Sequence, residues 1–153
     1  MKKEGKSEYR KGVFIVIYKK VNGRSEYLVL ERKLHWKGWE FPKGGLKIWE
    51  RGKEERAVLR EVKEEAGGCR IVGIKRFDVS GKYKYSKKMS ERPWTGQTYR
   101  LFAVEVKCGR LRIDRKEHSS YKWLGFEKAY RMLTWPNQKK CLKIVNKSMS
   151  KEA

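Results

Sequence analysis

Apolar positions in this chain fall into short runs separated by polar or glycine-marked breaks. Gly12-Val13-Phe14-Ile15-Val16-Ile17-Tyr18 is apolar without interruption, which fits a short buried strand. Tyr27-Leu28-Val29-Leu30 is a second such run, and Asn22-Gly23 between the two is a hairpin signal. Ile71-Val72-Gly73-Ile74 and the segment Thr98 to Val106 read as later strands. Tyr121 and Trp123 alternate with polar neighbours and share one strand face. Two segments change period. Val58, Leu59, Val62 and Ala66 form a stripe at helical spacing, and so do Leu142, Val145 and Met149. The second stripe follows Trp135-Pro136, a break that starts a final helix from Asn137 to about Met149, with Lys139, Lys140, Lys143 and Lys147 outward.

The first helix carries the informative chemistry. Residues 60 to 67 read Arg-Glu-Val-Lys-Glu-Glu-Ala-Gly. On a helix Glu61, Glu64 and Glu65 are spaced i, i+3 and i+4 and lie side by side. Adjacent carboxylates repel, and Arg60 and Lys63 are expected to point elsewhere on the wheel. A hard divalent cation, Mg²⁺ or Mn²⁺, answers that charge. A solvated glutamate-rich face is the competing reading. Upstream, Phe41-Pro42-Lys43-Gly44-Gly45 leads through a loop into the helix. The whole segment resembles the Nudix box of the Nudix hydrolase superfamily, G-x5-E-x7-R-E-U-x-E-E-x-G-U, where U is a bulky aliphatic residue. Gly44 matches the first glycine, and Arg60, Glu61, Val62, Glu64, Glu65 and Gly67 match the core. Two departures stand out. Gly44 and Arg60 lie two residues further apart than the pattern has them, leaving Glu50 and Glu54 as candidates to pair with Arg60. Gly68 occupies the last aliphatic position.

The resemblance covers roughly residues 11 to 148 and implies an α/β (α+β) Nudix fold, a mixed β-sheet sandwiched between helices. Pro42-Lys43-Gly44 and Glu117-His118-x-x-Tyr121-x-Trp123-Leu124-Gly125 are similar to the asymmetric diadenosine tetraphosphate hydrolase branch. That branch implies hydrolysis of the dinucleotide to ATP and AMP. It implies Glu61, Glu64 and Glu65 as metal ligands, helped by the backbone carbonyl of Lys43, with Glu117 as a further ligand or base. Glu61 or Glu117 would deprotonate the attacking water, and Arg60 would orient the acids. Residues 75 to 100 alternate aromatic and basic side chains. Tyr83, Tyr85 and Trp94 are candidates to stack on a base while lysines and arginines, Lys43 among them, meet phosphates. The bland counterpart is a surface hairpin whose aromatics pack on their neighbours. His35, beside Trp36, is a candidate to line the substrate mouth. For His118 a hydrogen-bonding role is expected as readily as proton transfer.

Composition bounds these readings. At 153 residues the chain is expected to form one domain, 11–148, with charged loose ends at 1–10 and 149–153. No apolar run approaches a membrane span, and the charged start does not read as a leader. Cys69, Cys108 and Cys141 are widely spaced and odd in number, so they are expected to be reduced, small packed side chains in a cytoplasmic protein. The net charge of +22 suits polyanionic partners. A lysine-rich, amide-poor bias of proteins from hot environments would also raise it, although acids lag far behind here. Two alternatives to the dinucleotide substrate follow: removal of pyrophosphate from RNA 5′ ends, and a non-catalytic RNA- or ribosome-binding module. A pure binder has no need of three adjacent carboxylates, which argues against the last.

Overall fold

Strand β2 (Gly12–Val21) explains why its sequence does not alternate. In the computed structural model, which describes residues 9–34, 36–84 and 94–152, this strand lies at the centre of the sheet with helices over both faces. Val13, Ile15 and Ile17 point into one core and Phe14 and Val16 into the other. A strand covered on both sides is apolar at every position. Its neighbours divide in the same way. Leu28 and Leu30 of β3 (Arg24–Arg32) join the first core, and Tyr27 and Val29 the second. The turn at Asn22-Gly23 joins β2 to β3 antiparallel, with Val21 opposite Arg24.

The sheet has eight strands and is mixed. β1 (Tyr9–Arg10) and β2 run parallel to β7 (Gly96–Arg112), and the remaining pairs are antiparallel. β4 (Gly38–Glu40) and β8 (His118–Leu124) both pair with β3, β5 (Lys43–Gly45) pairs with β2, and β6 (Gly67–Lys84) pairs with β7. Helix α1 (Glu54–Glu65) covers one face through Ala57, Val58 and Val62. Helices α2 (Phe126–Met132) and α3 (Pro136–Glu152) cover the other through Ala129, Leu133, Cys141, Leu142 and Val145. The buried Tyr27 hydroxyl donates to Asn146 Oδ1 at 2.7 Å, so the ring packs without leaving a polar orphan. Among the described residues no helix is long and apolar enough to cross a membrane.

The structure departs from the sequence expectations at several places. Leu59 does not join the apolar stripe; it is 46% exposed, because the helix buries Ala57 and Val58 instead. β6 is one strand of 18 residues, not a short strand followed by an irregular basic segment. Three register shifts against β7 let it follow the twist of the sheet, and they broke the alternation in the sequence. Pairing begins at Tyr9, inside the segment expected to be loose, where β7 offers a parallel edge. The last helix continues to Glu152, since nothing in its polar end breaks a helix. Gly68 has φ +87°, and a Cβ there would meet the Arg110 carbonyl oxygen, so an aliphatic residue is excluded. Finally, Cys69 and Cys108 are not free thiols. The antiparallel register sets them opposite one another, Cα–Cα 3.9 Å, and they form a cross-strand disulfide. A separation of 39 residues gave no hint of this pairing. Cys141 is free and buried, as expected.

Candidate active site

The acidic face of α1 lies against β5. Gly44 of β5 backs directly onto Glu61: a Cβ at this position would collide with the Glu61 carboxylate. Only glycine allows the strand so close. Glu61 and Glu65 are buried at 7% and 3% exposure, while Glu64 remains open to solvent. The expectation that Arg60 points away from these acids does not hold. Its long side chain folds back, and Nη1 lies 3.0 Å from Glu61 and 3.5 Å from Glu64.

Arg60 is held from the other side by Glu50. Arg60 Nε donates to Glu50 Oε2 at 2.7 Å and Nη2 to Oε1 at 2.9 Å, a two-point carboxylate–guanidinium pair. Arg60 Nη2 also donates to the Gly45 carbonyl at 3.0 Å. Glu54 instead meets Arg76, at 3.3 Å. Of the two acids left open by the spacing, Glu50 is therefore the partner. The extra residues fall in the turn Arg51-Gly52-Lys53 that follows it. The Arg60 guanidinium holds the Glu50 carboxyl below the usual range.

A second buried network supports Glu65. His118, the first residue of β8, is 1% exposed. Its Nε2 is 2.7 Å from Glu40 Oε2 and its Nδ1 is 3.2 Å from Glu65 Oε1. Burial alone would lower the His118 pKa, but the two carboxylates win and raise it to about 9. The ring is thus an imidazolium at neutral pH, with both N–H groups facing acids. Arg32 Nη1 bridges Glu40 and Glu117 at 3.1 Å each, and Lys43 Nζ lies 3.6 Å from Glu40 Oε1. Burial would raise the Glu40 pKa, yet Lys43, His118 and Arg32 together draw it below the ordinary value. Glu40 and Arg32 were missed in the sequence. The available signal was an acid in Trp39-Glu40-Phe41, flanked by aromatics that must pack.

Positive charge is scarcer on the helix side. Burial pushes Glu61 up to about 7; Arg60 opposes the shift and Glu64 and Glu65 add to it. Burial likewise raises Glu65, with His118 opposing and Glu117 adding. Glu65, Glu117 and His118 bring ligand-type atoms within 4.8 Å of one another although they come from opposite parts of the chain. Buried carboxylates short of counter-charge are the donor set that Mg²⁺ or Mn²⁺ takes.

The other expected residues are placed less uniformly. Tyr83 reaches the site: the Lys43 ammonium stands 5.7 Å from its ring, and the ring packs on Phe14 at 6.0 Å. Trp94 is half-buried just before β7. His35 and Tyr85 lie outside the described residues.

Residues 8–143 match the NUDIX domain family, and the chain belongs to it. It is 32% identical over 151 residues to an RNA pyrophosphohydrolase of a Nitratiruptor species, covering 93% of this chain and 96% of that one. Among solved structures it is similar to a binary complex of the C. elegans Ap4A hydrolase, with a TM-score of 0.67 and 25% identity over 92% of this chain and 98% of that one. The NUDIX domain of Shewanella oneidensis NrtR, solved with ADP ribose, shares the fold, with a TM-score of 0.74 at 12% identity over 97% and 94% of the two chains. The fold is thus the expected mixed sheet between helices, and the protein is a Nudix pyrophosphohydrolase in class.

Proposed function

We propose that this protein hydrolyses a phosphoanhydride bond of a nucleoside 5′-polyphosphate in a metal-dependent reaction, with a triphosphorylated RNA 5′ end as its preferred substrate. The observation that carries the chemistry is the convergence of Glu65 and Glu117 on one point beside Glu61. In this reading Glu61, Glu64, Glu65, Glu117 and the Lys43 carbonyl hold Mg²⁺ or Mn²⁺. A divalent ion there would neutralise phosphate oxygens and lower the pKa of water. Glu117 or Glu61 takes the proton of the attacking water. Arg60, fixed by Glu50, orients Glu61, and His118 and Glu40 orient Glu65. Lys43 meets substrate phosphate, and Tyr83 beside it offers a ring to a base.

The RNA end ranks ahead of diadenosine tetraphosphate because the relative at 32% identity is an RNA pyrophosphohydrolase and the chain carries +22 charge. Similarity to the Ap4A hydrolase structure and the Glu117-His118 motif support the dinucleotide as the second reading, with ATP and AMP as products. Both substrates place the reaction in the cytoplasm; the disulfide fits a cytoplasm of the hot-environment type, where such bonds persist. Both substrates, offered separately with Mg²⁺ and with Mn²⁺ and followed by product identification, test the reading. Pyrophosphate released from RNA with the higher kcat/KM is the expected result. Higher kcat/KM on the dinucleotide reverses the order, and cleavage of neither overturns the enzyme reading.

A further inference from the structure

The turn just before α1 exposes two large apolar side chains. Ile48 is 77% and Trp49 69% exposed, far more than any aromatic beside the carboxylates. They do not sit on a loose loop. Glu50 turns inward, and its carboxylate accepts from the Lys47 backbone N–H at 2.8 Å and from Arg60 at 2.7 Å. Its backbone N–H donates to the Lys47 carbonyl at 2.9 Å, and its carbonyl accepts from the Lys53 N–H at 2.8 Å. The inward acid fixes the turn, so the two residues before it are held outward. Exposing both apolar groups at a fixed place is unfavourable unless something covers them.

The surroundings define what that is. Lys47, Arg51 and Lys53 are exposed on the same turn. The turn is one guanidinium away from the reaction centre, since Arg60 bridges Glu50 and Glu61. Next to it, Leu46 N–H donates to the Lys11 carbonyl at 2.8 Å. Lys11 begins a groove of about 380 Å³ lined by Lys82, Arg100, Ser80, Thr98 and Glu54. Three cations and two hydroxyls outnumber its single acid, which Arg76 already pairs. An exposed indole ringed by cations, leading into a basic groove, suits a single strand that stacks bases and tracks phosphates.

We propose that the Lys47–Lys53 turn and the Lys11–Lys82–Arg100 groove bind the RNA chain downstream of its 5′ phosphates, with Trp49 as a base-stacking platform. This rests on the RNA reading above and assigns that substrate's length requirement to named residues. A protein or membrane surface would use the apolar pair but would leave the groove cations unengaged.

The test compares a 5′-triphosphorylated RNA decamer with diadenosine tetraphosphate, using wild type, Trp49→Ala, Trp49→Phe and the double variant Lys11→Ala/Lys82→Ala. Trp49→Ala is expected to lower kcat/KM on the decamer roughly tenfold or more, to change the dinucleotide by less than about twofold, and to recover largely as Trp49→Phe. The double variant should flatten the salt dependence of decamer binding by about one in the log–log slope, from about 0.7 per phosphate lost. Equal losses on both substrates would overturn the proposal, because Trp49 would then act only by shaping the turn that holds Arg60. An unchanged decamer rate with Trp49→Ala would overturn it as well. Wild type that cleaves the dinucleotide and ignores RNA would instead refute the RNA reading itself.

Discussion

Replacing Glu50 by Gln removes one carboxylate at 3% exposure and leaves its three hydrogen-bond donors facing an amide. The amide keeps one acceptor oxygen, but its NH₂ confronts a guanidinium that has donors only. Breaking a buried ion pair by removing one partner costs about 3–5 kcal/mol. Arg60 is one-fifth exposed, so water recovers part of this, and a loss of about 2–3 kcal/mol is expected. In a chain of this size that is a fall in Tm of roughly 5–10 °C. Function should suffer too, since a released Arg60 can close on Glu61 and Glu64 and compete with the metal. The apparent Mg²⁺ requirement should rise, while kcat at saturating Mg²⁺ falls less. Glu54→Gln is the control: its pair with Arg76 is between exposed groups and is worth under about 1 kcal/mol. Urea unfolding and Mg²⁺ titration of both variants decide the matter. Equal stability losses, or a larger loss for Glu54→Gln, would refute the pairing and the reading of the extended loop.

Three further outcomes follow from the same geometry. Glu61 is pushed to about 7 without metal, so Mg²⁺ binding at pH ~6 should release roughly one proton and weaken as pH falls; a pH-independent affinity by calorimetry would contradict this. His118 is raised from 6.5 to about 9, so its stabilisation is full below pH 6.5 and is lost as pH rises through 9. This is on the order of 3 kcal/mol; metal-free unfolding measured from pH 6 to 10 should show it, and His118→Asn should flatten that limb. Tyr83→Ala should lower kcat/KM by a factor corresponding to about 1–3 kcal/mol of stacking, and a change below twofold would place the base elsewhere.

Legibility in the sequence tracked how local each feature is. β2, β3 and α1 were readable because a doubly covered strand and an amphipathic helix leave their pattern in adjacent residues. The acids of α1 were readable for the same reason. What escaped depended on long-range register or side-chain reach. The disulfide exists because β6 and β7 pair with Cys69 opposite Cys108, and the intervening bulges hid that alignment. Arg60 was expected to point away because a wheel fixes only Cβ directions, whereas a guanidinium reaches back several ångströms. The Glu40–His118–Glu65 bridge joins β4, β8 and α1, and no spacing in the chain announces it. The choice of Glu50 over Glu54 likewise needed the turn to be seen.

In the proposed reaction the carboxylate face of α1, together with Glu117, supports metal-dependent phosphoanhydride hydrolysis. Phosphate-product release from 5′-triphosphorylated RNA and from diadenosine tetraphosphate, with and without Mg²⁺, by wild type and Glu65→Gln, measures this. Wild type should turn over at least one of them only when Mg²⁺ is present. Glu65→Gln should remain folded and lose on the order of 10²-fold in kcat, because an amide is a poor ligand for a hard cation. Turnover near the wild-type level in a folded Glu65→Gln variant at saturating Mg²⁺, or undiminished turnover in wild type after chelation, would remove the basis for a metal site on α1.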